Sequence, residues 1–427
     1  MKKPTPPPDP KKILDQNKEL LWKYVRDQEI KDFIDKANQK YWYWDELKRR
    51  QKPKEITYEE LWAITRTLRE VNSKEISIGK PRQFTYTVTD EMLKDLHILD
   101  MNLGGSLKEQ KSADKEKKEK YLASSRMEEA IASSQIEGAV TTRKIAKKML
   151  LQKRIPRNNS EKMILNNYNT VKELNELAEE ELTEELIKYI HSSITKETLE
   201  SNEYEGSFRK TDDVIVYDKN TNEVLHMPPK HKEISKFISE ICAFANHDEE
   251  TFLHPIIKAS ILHFMIGYVH PFVDGNGRTA RAIFYWFLLR KDYWLVEYTS
   301  ISRLIVKAKA QYMRAYLHTE KDQNDLTYFI QHNMKQLNNA VMQFNKYLEE
   351  KKKEKDQMSK QISTEQLNQR QIQILVDLDK DEEYTYQSVA EQFRVTIPTA
   401  RSDLLELEKK GHLHKNKRGR TFIFTKK

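Results

Sequence analysis

The sequence predicts a mainly α-helical protein, interrupted by one β-hairpin and finished by a small separate unit. Three observations carry this expectation. Glycine is scarce, at 10 of 427 residues, where ~7% is usual, so there is little room for many tight turns. Apolar residues recur at three- and four-residue spacings through most of the chain, the period of a helix with one buried face. Alternating patterns occur only in short patches. The length fits two or three domains at ~150 residues each.

Composition narrows the class. Lys+Arg total 74 and Asp+Glu 66, a formal net charge of +8, and only 38% of residues are hydrophobic. No run approaches the ~20 apolar residues of a spanning helix, so no membrane association is expected. The opening MKKPTPPPDPKK has lysines but no apolar core after them, unlike a signal peptide. The single cysteine, Cys242, excludes an internal disulfide framework and a Cys-rich zinc site. Its neighbours in ISEICAFA make it a small hydrophobe of the core. A cytoplasmic location is the expectation.

Residues 1–12 are rich in Pro and Lys and read as disordered or extended. An N-terminal helical region extends to about residue 120. Within it, residues 13–75 read as helices, with Leu61, Ile64 and Leu68 at i, i+3 and i+7. QFTYTVT (83–89) alternates and suggests a short strand or extended link. LKEQKSADKEKKEK (107–120) is a mixed-charge run, read as solvated surface. From 121 to 345 the pattern is helical again. Its one interruption is DDVIVYDKNTNEVLHMPPK (212–230), where two β-like runs, 214–217 and 224–227, flank a polar turn and read as a hairpin. Residues 346–363 are a charged linker or helix extension.

Residues 364–427 form the last unit. Apolar-periodic helices are expected at 368–378 and 386–393. A third follows RVTI, with Thr396 as N-cap and Pro398 in the first turn. Its Ala400, Leu404 and Leu407 share one face, while Thr399, Arg401 and Ser402 can face outward. HLHKNKRGRTFIFTKK then alternates around 417–419. The unit resembles the winged helix-turn-helix of bacterial regulators. Its tail, 412–427, carries six Lys/Arg and no acid, which suits phosphate contacts through 386–424. The unit as a whole has 12 basic and 10 acidic residues. DNA binding and a wing used for protein contact or dimerisation both stay open.

The chemistry concentrates in HPFVDGNGRTAR (270–281). The apolar run ASILHFMIGYV leads into it and TARAIFYWFLLRK leaves it. Gly275, Asn276 and Gly277 allow successive backbone N–H groups to face one concavity, an anion nest. That nest opens on a helix N-terminus, which also favours phosphate. Arg278 and Arg281, at i and i+3, sit in the first turn, the wrong end of a helix for cations. Such an inconsistency marks a functional site, because an anion among them reverses the sign. Asp274 is a hard oxygen ligand suited to Mg²⁺. His270 is a candidate general base. Phe272 alternates away from the polar residues and is expected in the core.

These residues match, at every defined position, the H-x-F-x-[DE]-G-N-G-R-x-x-R signature of Fic-domain proteins, which the segment therefore resembles. The resemblance implies a helical Fic core over about 121–345, with ATP and Mg²⁺ as cofactors, and transfer of AMP from ATP to a hydroxyl of a target protein. By the same resemblance His270 would deprotonate a target Tyr, Thr or Ser hydroxyl, and Asp274 would hold Mg²⁺ at the α- and β-phosphates. Gly275, Asn276 and Gly277 would line the nest, with Arg278 at the β-phosphate and Arg281 at the γ-phosphate. The hairpin at 212–230 sits where the family has its flap, where a target segment adds as a strand.

SSQIEG (133–138) ends a helical pattern of about 121–138. Ser133 and Glu137 are i, i+4 and share a face, and Gly138 is a natural residue to follow a helix. Glu137 in a last turn would be disfavoured unless a cation faced it. The segment resembles the Fic inhibitory motif [ST]-x-x-x-E-[GN], which implies that Glu137 competes with the γ-phosphate for Arg281. Tyr312 and Tyr316, at i and i+4, fall in the region the family places near the nucleotide, although core packing is their plainer reading. Two rivals remain: removal of AMP with Glu137 aligning a water, and a DNA-binding regulator whose Fic core senses nucleotide. A homo-oligomer is also open.

Overall fold

The computed structural model describes residues 3–79, 82–104, 115–218, 221–247, 252–362, 367–378, 383–393, 395–419 and 421–427. Part of the charged run 107–120, part of the hairpin turn, residue 363 and Arg420 fall outside them. The chain forms two compact units, Met1–Val341 and Met342–Lys427. Both are mainly helical, and each sheet among the described residues is a two-stranded antiparallel pair.

In the first unit the N-terminal helices Pro10–Gln16, Leu20–Arg26, Gln28–Gln39 and Tyr58–Asn72 enclose a cluster rich in aromatics, including Tyr41, Trp42, Tyr43, Trp44 and Trp62. Tyr58–Asn72 begins with a reciprocal capping box between Thr57 and Glu60, which satisfies two otherwise orphaned N–H groups. Arg69 from this helix is buried. It donates to Asn38 Oδ1 at 2.9 Å, Tyr328 Oη at 2.8 Å and the carbonyls of Ala37 and Trp42. A buried guanidinium is tolerable only when its donors are taken this way. The Pro-rich start departs from the expectation at its end: Pro10 to Lys12 open the helix Pro10–Gln16, because Asp9 caps it and Pro10 sits in its first turn, and the residues before it are pinned. Thr5 N–H donates to Asp45, Tyr43 Oη donates to the Thr5 carbonyl, and Lys321 Nζ donates to the Pro4 carbonyl.

The centre of this unit is the helix Pro255–Val269, apolar nearly all round and buried along its length, as a helix enclosed by others must be. It packs against Asn276–Arg290, which in turn lies against Asn159–Leu177 and Glu184–Thr195. The helix Lys115–Ile136 packs on Asn159–Leu177 and on the short helix Ile301–Lys307. The hairpin is present as Val216–Tyr217 paired with Val224–His226, with a register shift between Val216 and Tyr217. Cys242 is half-buried, and burial pushes its thiol up to about 12.

The second unit contains helices Gln369–Asp377, Tyr386–Gln392 and Ile397–Lys409 and the hairpin Leu413–Arg418/Thr421–Lys426. Thr396 caps the third helix by accepting from the Thr399 N–H. Ala400, Leu404 and Leu407 are fully buried in its core, while Arg401 and Ser402 are exposed. A bridge between Tyr384 and Phe424 adds a short third strand position to the wing. The long helix Thr327–Ile362 contains the charged segment after residue 345, so the helix-extension reading of that segment holds through Ile362.

Candidate functional site

The loop between the two central helices starts at His270, which ends the first helix in the left-handed region at φ 48°. Its Nδ1 lies 3.0 Å from the Gly267 carbonyl. A carbonyl only accepts, so Nδ1 carries the proton and Nε2 keeps its lone pair. Burial lowers the His270 pKa to about 4. The ring is therefore a neutral acceptor across the physiological range.

Beyond it the loop is locked from inside. Phe272 is fully buried, and its backbone N–H and C=O are bridged by the Asn276 side chain at 2.9 and 2.8 Å. Asn276 thus contributes only main chain to the nest, because its amide is spent on the loop. His191 stacks on Phe272 with ring centroids 3.6 Å apart. It accepts from the Gly206 N–H through Nδ1 and donates through Nε2 to the Asp274 carbonyl at 2.8 Å. The Asp274 carboxylate accepts from the Gly275 N–H and is exposed. Gly275 has φ 82°, and a Cβ there would stand 2.7 Å from Thr195 Cγ2. Glycine is required on both counts.

The helix Asn276–Arg290 then begins with its first N–H groups lacking intrahelical partners. A Cβ on Gly277 would run into the carboxylate of Glu137. The Glu137 carboxylate thus lies against Gly277, in the first turn of this helix. Arg281 donates from Nη2 to Glu137 Oε1 at 3.0 Å, and from Nε and Nη2 to the Ser133 hydroxyl and carbonyl at 2.9 and 3.0 Å. Arg278 is buried and donates to the Ile194 carbonyl at 3.2 Å. Burial would raise the pKa of Glu137, but Arg281 and then Arg278 more than offset it, so the carboxyl is held below its usual range. Burial would likewise lower that of Arg281, and Glu137 turns the net shift upward. For Arg278 burial prevails and the shift is downward. Arg281 Nη1 and Arg278 Nε are buried and meet no acceptor at hydrogen-bonding geometry among the described residues. Buried donors left so call for a partner, and the Tyr312 side chain also interacts with the Arg281 guanidinium.

Glu137 is not inside the last helical turn. The helix ends at Ile136, Glu137 caps it, and Gly138 follows with φ 108°. Gly138 N–H donates to the Gln135 carbonyl and Ala139 N–H to the Ser134 carbonyl, the two bonds of a Schellman turn. Only glycine takes that φ without strain, which is why the motif ends as it does.

Several residues around the site carry no local sequence signal. Arg209 donates to the carbonyls of His270 (2.9 Å), Thr211 (2.8 Å) and Pro229, tying both legs of the hairpin to the loop. His226, on the hairpin, contacts Glu320 Oε2 and the Tyr268 carbonyl, each at 2.7 Å. Lys309 Nζ donates to the Ile136 carbonyl at 2.6 Å. Glu129, buried in the same helix, accepts from Tyr285 Oη, Ser300 Oγ and the N–H and hydroxyl of Ser302. Tyr312 and Tyr316 pack against this region. His263 Nε2 is 2.9 Å from Tyr312 Oη, and a Cβ on Gly267 would collide with the Tyr316 hydroxyl. On the hairpin, Ile215, Tyr217, Val224 and Met227 are exposed.

Residues 181–288 match the profile of the Fic/DOC family, and residues 370–425 match that of the DeoR-like helix-turn-helix domain. Curated relatives include proteins named "Protein adenylyltransferase Fic" from Drosophila sechellia and Drosophila melanogaster. Each is 34% identical over 68 residues, 16% of this chain and 14% of the relative. The match thus spans about a seventh of those proteins' length. Among solved structures, a Fic family protein from Desulfovibrio desulfuricans G20 superposes with a TM-score of 0.51 at 17% identity, covering 80% of this chain and 97% of that one. Fic-1 from C. elegans gives 0.51 at 17% identity over 79% and 86%. At these identities the structural likeness is one of fold.

Proposed function

We propose that this chain, which carries a Fic domain, transfers AMP from ATP to a hydroxyl side chain of a target protein and is restrained by its own Glu137. The observation that supports this best is the pairing of a neutral His270, its Nε2 left as an acceptor, with a carboxylate held by Arg281 against Gly277 at the start of the next helix. In this reading the target oxygen attacks the α-phosphorus, the bond to the β-phosphate oxygen breaks, and pyrophosphate leaves. The hydroxyl proton passes to His270 Nε2. The helix N-terminus, Arg278 and Arg281 neutralise the phosphates and hold them in line, which is most of what such a transfer needs.

Asp274 fits a Mg²⁺ site. It is a single exposed carboxylate at the loop crest, and no cluster of three His, Cys, Asp or Glu side chains occurs among the described residues. Mg²⁺ is commonly held by one or two carboxylates together with phosphate oxygens. When bound, the ion would neutralise charge on the α- and β-phosphates. The exposed apolar edge of the hairpin suits a target segment added as a strand. A cytoplasmic setting, where ATP is at hand, belongs to this reading. No helix among the described residues is long and apolar enough to cross a membrane.

The test is mass spectrometry of the Glu137→Gly protein incubated with ATP and Mg²⁺. An added AMP on the protein itself or on an offered lysate protein is expected. Nucleotide binding without any adduct would overturn the proposal.

A second reading, removal of AMP, is favoured by one observation: Glu137 is kept ionised and a quarter exposed beside the nest, where a water could be aligned. Wild-type protein mixed with AMP-modified Glu137→Gly protein distinguishes the two, since only removal requires the carboxylate. DNA binding by the second unit is a separate proposal, supported by the helix-turn-helix match and the exposed Arg401 and Ser402.

A further inference from the structure

The carbonyls of the last turn of the helix Lys115–Ile136 are all engaged. Its last four carbonyls have no partner within the helix itself. Two of them, Ser134 and Gln135, are satisfied by the Schellman turn through the Ala139 and Gly138 N–H groups. The other two are taken by cations from elsewhere in the chain: Ser133 by Arg281 Nη2 at 3.0 Å and Ile136 by Lys309 Nζ at 2.6 Å. The two cations differ in what else they face. In the proposed function, Arg281 is the residue an incoming nucleotide competes for, and its Nη1 meets no acceptor at hydrogen-bonding geometry among the described residues. Lys309 lies on the helix Lys309–Lys321, outside the signature 270–281. Its partner is the carbonyl of the residue just before Glu137, and its charge favours the ionised Glu137.

Lys309 also belongs to a longer seat. Glu129 lies two turns before the helix end. It is fully engaged by Tyr285 and by Ser300 and Ser302, in the segment that leads through Ile301–Lys307 to Lys309. Segment 300–309 therefore grips the inhibitory helix at two points, one of which adjoins Glu137.

We propose that Lys309 is a positioning residue of the brake: it holds the Ile136–Glu137 end in place when nucleotide draws Arg281 away. When Arg281 turns to a γ-phosphate, Ser133 and Glu137 lose their shared donor. The Lys309–Ile136 bond is then the remaining cationic anchor of the helix end, and it decides whether Glu137 stays over Gly277 or swings out. A cation hydrogen-bonded to a helix C-terminus is favourable for both charge and dipole. This inference rests on the autoinhibition reading, and its test separates the two.

Two readouts are taken on full-length Lys309→Met, Lys309→Gln and Lys309→Arg proteins. The first needs no activity: hydrogen exchange, by mass spectrometry, of the peptide containing the Gly138 and Ala139 amides. Exchange should quicken about tenfold in Lys309→Met and Lys309→Gln, as expected for loss of a charged hydrogen bond at a partly exposed site. It should return toward wild type in Lys309→Arg, which keeps a cation donor. The second is self-modification with labelled ATP. Lys309→Met should raise it about tenfold in the wild-type background and change it less than about twofold in Glu137→Gly, where no brake remains. Unchanged exchange at Gly138 and Ala139 would overturn the proposal. So would an equal effect of Lys309→Met with and without Glu137. Absence of transfer by Glu137→Gly itself would instead overturn the functional reading, and the exchange readout would still decide the role of Lys309.

Discussion

Arg281 Nη2 stands 3.0 Å from Glu137 Oε1, while Nη1 of the same guanidinium is buried and, among the described residues, meets no acceptor at hydrogen-bonding geometry. One nitrogen of this arginine is committed to an internal anion and the other is not. Glu137 and a γ-phosphate would compete for it, and catalysis needs alignment more than affinity. Glu137→Gly should raise AMP transfer at least about tenfold while tightening ATP binding far less. Arg281→Ala should abolish transfer in both backgrounds. If Glu137→Gly/Arg281→Ala transfers AMP as fast as Glu137→Gly, the two residues do not share one site.

His270→Ala should reduce transfer by ~10²–10⁴-fold with ATP affinity little changed, as for loss of a general base. Calorimetry that shows lost ATP binding with a normal residual rate would reassign the residue. Burial lowers the His270 pKa to about 4, and Glu137 acts to raise it, so removing Glu137 moves it further down. The base is deprotonated above its pKa and lost below it. Transfer by Glu137→Gly at subsaturating ATP should therefore stay level from pH 7 to about 5. A decline centred near 6.5 would show an ordinary, solvated imidazole.

Gly277→Ala is a sharper probe of the nest than any arginine change. Its Cβ would overlap the Glu137 carboxylate and stand 3.2 Å from Arg281 Nη1. It should expel both the brake and the phosphate, so transfer should be absent even in the Glu137→Gly background, with ATP affinity reduced by isothermal titration. Normal ATP binding in Gly277→Ala would place the phosphates elsewhere.

Acid should destabilise the first unit over a defined window. Burial depresses His191, His270, His318 and His332 from 6.5 to about 4, and His263 well below 6.5. The unfolded chain binds these protons at a higher pH than the folded one. The stability they confer is full above about 6.5 and is lost as pH falls toward 4. Urea midpoints should drop steeply between pH 6.5 and 4.5, with uptake of up to five protons on unfolding. A midpoint flat through that window would contradict the buried neutral state.

On the wing, Arg418 donates from both terminal nitrogens to Glu383 at 2.8 and 2.9 Å, whereas Lys415 and Lys417 lie over or near the Phe422 ring. If the second unit binds DNA, replacing Lys415 and Lys417 by glutamine should reduce the magnitude of the salt slope by roughly two. Arg418→Gln should reduce it less, because its charge is already partnered. Absence of DNA affinity at low salt in the full chain would favour protein contact.

The sequence made legible whatever is encoded locally. The twelve residues 270–281 specify their own loop: left-handed Gly275, Asn276 folded onto Phe272, and a helix beginning at once. Residues 133–138 similarly specify a helix end, although Glu137 proved to be the cap and not a member of the last turn. The hairpin, the Thr396 cap and the buried face of the last helix were readable for the same reason. Residues that act across distance were not. Arg209, His191, His226, Glu129 and Lys309 each have a partner at least fifteen positions away, and nothing in their neighbourhoods distinguishes them from surface charges or core histidines. The opening residues read as disordered or extended; 10–12 instead begin a helix, and before it Pro4 and Thr5 are held by partners at Lys321, Tyr43 and Asp45, which no local pattern announces.

Arg209 makes the hairpin a gauge. With one planar group bonded to the His270, Thr211 and Pro229 carbonyls, a strand laid on the hairpin as proposed would stand at a distance from His270 Nε2 set by the chain and not by the guest. A short hydroxyl side chain and a long one cannot both reach that nitrogen from the same register. Since strand side chains alternate, a guest can compensate only by sliding two residues, roughly 6.8 Å, at a time. Selection among Ser, Thr and Tyr would then be a matter of depth, set by how far the hairpin stands from His270.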